Sequence, residues 1–295
     1  MTDYLHYIPR IRSYYQALGY GAPYVWAEQD DVPLARLAVP LTKARIGVVT
    51  TAAPYRPDVD VDQSIGAPLT GLTKLQDVIS VPAQPVPDLR LNHVAYDTKH
   101  TRHTDQRTYN PLDALIELAG QGSIGAVGPR VHCVPTNRSQ RTTRTAYADA
   151  VIARCREDGL DAAVLVPICP VCHQSMALIA TRLEAQGLPT VVMGAARDIV
   201  EQVGTPRLFH SNLPLGNPCG PPDDRAAQVD NASRALRMLV DTDSARTTRT
   251  SPHGWPGAPD WQKDYSNAEL LSEEEIATRR VAFDQVKVEG KAASG

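Results

Sequence analysis

Residues 160–173 read LDAAVLVPICPVCH, and the fold turns on them. Leu160 to Ile168, apolar throughout apart from Asp161, reads as a strand buried on both faces. Cys169 and Pro170 then lead into a helix over Cys172 to Gln186, ended by Gly187. The same rhythm recurs on either side. RIGVVTT at 45–51 is a second buried strand, and Ile124 to Val127, Leu188 to Met193 and Arg207 to Asn212 are further ones. Between them, Asn110 caps a helix with Pro111 at its first position and Leu112, Leu115, Ile116 and Leu118 on its apolar face. Arg144 to Asp158, Ala195 to Val203 and Asp224 to Val240 supply the other helices. Strands alternating with helices predict an α/β fold. The sheet is open and mostly parallel, with helices on both faces, in the Rossmann or flavodoxin manner.

The flanks are different in kind. Residues 1–44 are rich in Tyr and Pro and are expected to form an N-terminal arm packing on the core, with a short helix over Arg10 to Leu18. Residues 45–240 form the α/β domain, although 52–110 hold only weak strand signals near Val78 to Val81 and Leu91 to Val94. Residues 241–265 read as a surface linker. Ser272 with Glu275 then makes a capping box for a C-terminal helix reaching about Val286.

Composition narrows the function classes. The chain has 295 residues, 42% hydrophobic and 21% charged, which is globular. Lys plus Arg is 30 against 33 Asp plus Glu, a net charge of −3 that argues against nucleic acid or an anionic membrane as partner. No apolar run approaches the roughly 20 residues that span a bilayer. Five cysteines is an odd number, and no apolar secretory segment opens the chain, so a reducing cytoplasm is expected. In that setting a close cysteine pair does redox or metal chemistry rather than stapling.

Cys169-Pro170-Val171-Cys172-His173 is such a pair, set between a buried strand and a helix start. Sites in open parallel sheets lie at the carboxyl ends of strands, and the positive end of a helix favours a thiolate. Cys169 is the candidate attacking thiolate, Cys172 the resolving thiol and His173 the proton carrier. Other readings stay open. The string matches c-type haem attachment, which needs an exported protein. A metal site would draw on Cys169, Cys172 and nearby His, with His132-Cys133 able to complete the set. A non-redox cysteine acid/base enzyme of racemase or lyase type would use opposed thiols, with Cys133 or Cys219 as the second. A plain buried pair is the bland alternative.

The densest His/Asp cluster is His93, Tyr96, Asp97, His100, His103 and Asp105, a candidate substrate-binding loop in which His93, Tyr96 and Asp97 stand out. Cys133 is a candidate third thiol, and Cys155 reads as packing. Arg207 and Arg130 are candidates for gripping a substrate carboxylate.

Ordered stretches across 40–240 resemble the selenoprotein B family of the glycine, sarcosine, betaine and D-proline reductases. They are PLTKAR then RIGVVTTA at 40–52, His93-Val-Ala-Tyr96-Asp97 followed by Asp105 and Asn110-Pro-Leu-Asp113, LDAAVL at 160–165, and the C-x-x-C-H. QGLPT at 186–190, GTPR at 204–207 and PLGN at 214–217 complete the series. The resemblance implies that Cys169 stands where the family has selenocysteine, in a Sec-x-x-Cys-His arrangement matched by Cys172 and His173. It further implies reductive cleavage of a C–N bond next to a carboxylate in a small, amino-acid-like substrate. A thiol, with an ordinary pKa of about 8.5, needs activation that a selenol does not. An external dithiol or thioredoxin-like donor would supply electrons, a metal remaining an alternative. The resemblance also implies a pyruvoyl-bearing partner subunit; this chain shows no self-cleavage pattern, so either a separate chain supplies that group or the protein works alone on a substrate needing no such electron sink. A homo-oligomer is expected as well.

Overall fold

Apolar β-branched runs become strands here because their side chains pack on both faces of a pleated sheet. The computed structural model describes residues 4–55, 77–91, 95–101, 104–136, 138–258 and 260–281. In chain order the strands are β1 (Arg45–Thr50), β2 (Ala53–Pro54), β3 (Ile79–Pro82), β4 (Leu89–Arg90), β5 (Ala126–Cys133), β6 (Ala162–Val166), β7 (Thr190–Gly194), β8 (Arg207–His210) and β9 (Thr247–Thr250). Seven of them form one sheet in the order β3-β5-β1-β6-β7-β8-β9, while β2 and β4 pair separately. β3 runs antiparallel to β5, and every other pair in the large sheet is parallel. The expected open, mostly parallel sheet is therefore present.

The helices are α1 (Tyr7–Ala17), α2 (Leu112–Gly120), α3 (Gln140–Thr142), α4 (Ala148–Glu157), α5 (Pro170–Glu184), α6 (Arg197–Val203) and α7 (Arg225–Asp241). A π-helical turn, Thr143–Tyr147, joins α3 to α4. α5 packs on β6 and β7 with α4 and α6 beside it, whereas α2 and α7 pack on one another, on β5 and on β7 and β8 respectively. β6 and β7 are buried along their whole length, as strands covered on both faces must be. Met176, Leu178, Ile179 and Leu183 of α5 meet Val151 and Ile152 of α4 and Val200 and Val203 of α6 in the main core.

The chain divides into two compact units, one of residues 1–25 with 259–295 and one of residues 26–258. In the first, Tyr7 lies edge-on to Tyr265, Arg10 donates to the carbonyls of Lys263 and Tyr265, and Arg280 donates to that of Leu18. The Ser272 and Glu275 capping box forms as expected, and residues 273–281 are helical. No helix among the described residues is long and apolar enough to cross a membrane.

In the second unit, residues 27–35 run as a strap along α5. The N–H of Ala27 donates to Gln174 Oε1 at 2.8 Å, Gln29 Nε2 donates to Thr181 Oγ1 at 2.9 Å, and the N–H of Ala35 donates to Glu184. Three polar side chains on one face of a buried helix thus all find partners. Within the stretch read as a linker, 247–250 form β9, an edge strand of three Thr and one Arg with no apolar signature. β5 is also longer than expected, because the Gly128-Pro129-Arg130 irregularity is absorbed between its paired ends.

The parallel register brings Cys133, Thr50 and Val166 side by side, with Gly194 and His210 further along the same carboxyl edge.

Candidate active site

Cys169 is the N-cap of α5. Its extended backbone turns the sulfur onto the first turn, where Sγ accepts the backbone N–H of Cys172 at 3.2 Å. Pro170 follows at the first helical position, where a missing N–H costs nothing. A sulfur thus takes the place usually held by a capping oxygen, at the positive end of a 15-residue helix. The same turn holds Cys172 in a disulfide with Cys169, with Cα atoms 4.9 Å apart. Both cysteines are fully buried. The turn before them is fixed from β1: Thr51 Oγ1 accepts the N–H of Ile168 at 3.1 Å, and Thr50 Oγ1 donates to the carbonyl of Val166.

His173 is committed on both ring nitrogens. Nδ1 donates to the carbonyl of Cys169 at 2.7 Å, and Nε2 accepts the backbone N–H groups of Ala195 at 2.9 Å and Ala196 at 3.0 Å. A carbonyl can only accept and an N–H can only donate, so the ring is neutral with its proton on Nδ1. Burial pushes its pKa down to about 4. No ring lone pair is left for the two thiols. Gly194 permits this approach, since a Cβ there would stand 3.1 Å from His173 Cδ2.

Thr136, which the sequence does not single out, lies three residues beyond β5 with Oγ1 3.3 Å from Cys172 Sγ. The N–H of Val134 donates to the carbonyl of Thr50 at 2.8 Å and fixes the departure of this loop from the sheet.

The other expected residues are dispersed. Cys133 ends β5 on the same edge, two strands from β6, and burial pushes its thiol up to about 12. Cys155 is likewise pushed up to about 12, and Cys219, fully buried, is raised further still by the same cause. His93 and His103 lie outside the described residues. Asp97 is buried and caps its own turn: Oδ1 accepts from the N–H groups of Lys99 and His100 and from His100 Nδ1 at 3.0 Å. That turn is bound to the PLGN stretch, because Asp97 N–H and Thr101 Oγ1 both donate to the carbonyl of Leu215. Tyr96 is buried beside it, and burial alone raises its phenol to about 12.

Arg207 opens β8, at the amino edge of the sheet, and is fully buried. Its guanidinium donates to Glu184 Oε1 at 2.7 Å and to the carbonyls of Thr190, Met238 and Ala35. The fold uses it internally and does not bring it to the cysteines. Arg130 is paired with Asp158 and Glu157. His132 faces Ser80 Oγ at 2.9 Å and Asp158 rather than the cysteines, and burial pushes it down to about 4. Among the described residues, no group of three or more His, Cys, Asp or Glu side chains is arranged to hold a metal ion.

No family model and no solved structure matches the chain. Two curated proteins do. The chain is 27% identical over 161 residues to the D-proline reductase subunit gamma of Acetoanaerobium sticklandii, covering 54% of this chain and 66% of that protein. It is 26% identical over 220 residues to the glycine reductase complex component B subunit gamma of Carboxydothermus hydrogenoformans, covering 72% of this chain and 50% of that protein. The chain thus spans just under two thirds of the first relative and half of the second. With the ordered stretches and the C-x-x-C-H motif, these matches support the resemblance to the selenoprotein B family.

Proposed function

We propose that the chain is a thiol-dependent reductase, or reductive lyase, of a small amino-acid-like substrate. The observation that carries this reading is the position of Cys169: its sulfur caps a helix and lies within bonding distance of Cys172. The names of the relatives, both subunits of amino-acid reductases, support it.

In this reading the Cys169 thiolate attacks the substrate carbon that carries the amine. An S–C bond forms, the C–N bond breaks, and the amine leaves with the electron pair and a proton. The Cys172 thiolate then attacks Cys169 Sγ. The S–S bond forms, the S–C bond breaks, and its electron pair goes to carbon, which takes a proton. The substrate gains two electrons and the thiols lose two. An external dithiol returns the pair to the reduced state. His173 serves as a positioning residue, tying the Cys169 carbonyl to the end of β7 through both ring nitrogens. Because both relatives are subunits, a partner chain is part of the proposal, and a pyruvoyl group on it would hold the substrate amine.

The test is dithiol-driven turnover with Cys169→Ser and Cys172→Ser. Two thiols consumed per product, with no turnover in either variant, supports the reading. Full activity of the Cys169→Ser protein ends it.

A further inference from the structure

The two sulfurs of the pair are held by different donors. Cys169 Sγ accepts a backbone N–H, that of Cys172, whereas Cys172 Sγ meets the Thr136 hydroxyl at 3.3 Å. A disulfide sulfur carries no hydrogen, so the hydroxyl is the donor in this contact. Thr136 is half-buried, and across 162–180 Val171 alone is not fully buried.

We propose that Thr136 is a positioning residue for thiol–disulfide exchange: its hydroxyl stabilises the Cys172 thiolate. This rests on the reductase reading above and assigns that site a residue from another strand's loop. Cys172 must be a thiolate twice in the cycle. In resolution it attacks Cys169 Sγ, forming S–S and breaking the bond from Cys169 to the substrate. In re-reduction by a small dithiol, a donor thiolate attacks Cys169 Sγ and the S–S electron pair leaves on Cys172. The donor's second thiolate then attacks the donor sulfur of the mixed disulfide and frees Cys169. The donor departs as its cyclic disulfide, and its two protons end on the two cysteines. A hydroxyl hydrogen bond lowers the pKa of the sulfur in both steps, and a leaving thiol of lower pKa departs faster.

The experiment follows thiolate absorbance against pH in the folded Cys169→Ser protein, with Thr136, Thr136→Val and Thr136→Ser in turn. Ser at 169 keeps a helix cap. The Cys169→Ser, Cys172→Ser protein titrated in parallel subtracts any signal from Cys133, Cys155 and Cys219, whose thiols burial raises. Thr136→Val is expected to raise the Cys172 pKa by about one unit, a tenfold loss of thiolate below it. Thr136→Ser should restore it. With both cysteines present, Thr136→Val should slow disulfide reduction by dithiothreitol by about three- to tenfold. Where Thr136→Val does not fold, Thr136→Ala carries the same comparison. Superimposable titrations, or a shift that Thr136→Ser does not reverse, would overturn the proposal. Neither measurement uses a substrate, so the result is independent of the turnover test of the reductase reading.

Discussion

The imidazole of His173 accepts the backbone N–H of Ala195 at 2.9 Å, joining the first turn of α5 to the segment that follows β7. Its Nδ1 donates to the carbonyl of Cys169 at 2.7 Å, which makes the ring a strut between the cysteine turn and the neighbouring strand. The residue next to the cysteine pair is therefore part of the scaffold that holds it.

Stability should fall with pH through the histidine range. His173 and His132 are held at about 4, and His210 at about 3, each mainly by burial. The unfolded chain binds protons at its ordinary imidazole pKa near 6.5. Above that value neither state is protonated and the stability is whole. As pH falls from 6.5 towards 4, only the unfolded state gains protons, so stability is lost. His173 alone contributes a loss of about 2 kcal/mol between pH 7 and pH 5. Urea unfolding at the two pH values measures it, and equal midpoints would contradict the buried neutral state.

Cys172→Ser should trap the substrate on Cys169, because the resolving thiolate is gone while the helix start that favours the Cys169 thiolate remains. Intact-mass analysis after incubation with substrate should show one adduct per chain. Peptide mapping should place it on Cys169 rather than on Cys133 or Cys155, whose thiols stay protonated near neutral pH.

Arg207→Ala should destabilise the fold by about 3–5 kcal/mol, since it leaves the Glu184 carboxylate buried without its cation. Burial pushes the Glu184 carboxyl up even with Arg207 present. Denaturant unfolding reads the loss. A change near zero, with substrate affinity reduced instead, would return Arg207 to the carboxylate-binding role expected from sequence.

Gly216→Ala should destabilise the loop that holds the Asp97 turn. The residue sits at φ +110°, and a Cβ would stand 2.8 Å from Thr101 Cγ2. Backbone strain and overpacking together should cost about 2–4 kcal/mol. A wild-type melting temperature would show that the two stretches are not packed this way.

Local pattern was enough for the framework. AAVLV at 162–166 and IGVV at 46–49 are apolar at every position because β6 and β1 lie inside a covered parallel sheet, and that pattern is visible without knowing their neighbours. The C-x-x-C spacing likewise carried the cysteine turn, since a cap and the third residue after it meet within one helical turn. β9 was not legible. Its TTRT pairs on one side only, and its place comes from parallel pairing with β8, forty residues away in the register Arg207 to Thr247.

The roles of polar side chains needed the tertiary structure. Arg207 looks in sequence like a substrate-binding arginine, yet its partners are Glu184, Thr190, Met238 and Ala35. His173 looks like a proton carrier until the N–H groups of Ala195 and Ala196 arrive from β7. Thr136 carries no signal at all, and only the register of β5 beside β1 brings its loop towards Cys172. Burial patterns repeat along the chain and can be read from it. Hydrogen-bond partners are chosen by whatever distant backbone the fold delivers, so the sequence determined the sheet and the cysteine turn, and the tertiary structure decided which side chains serve them.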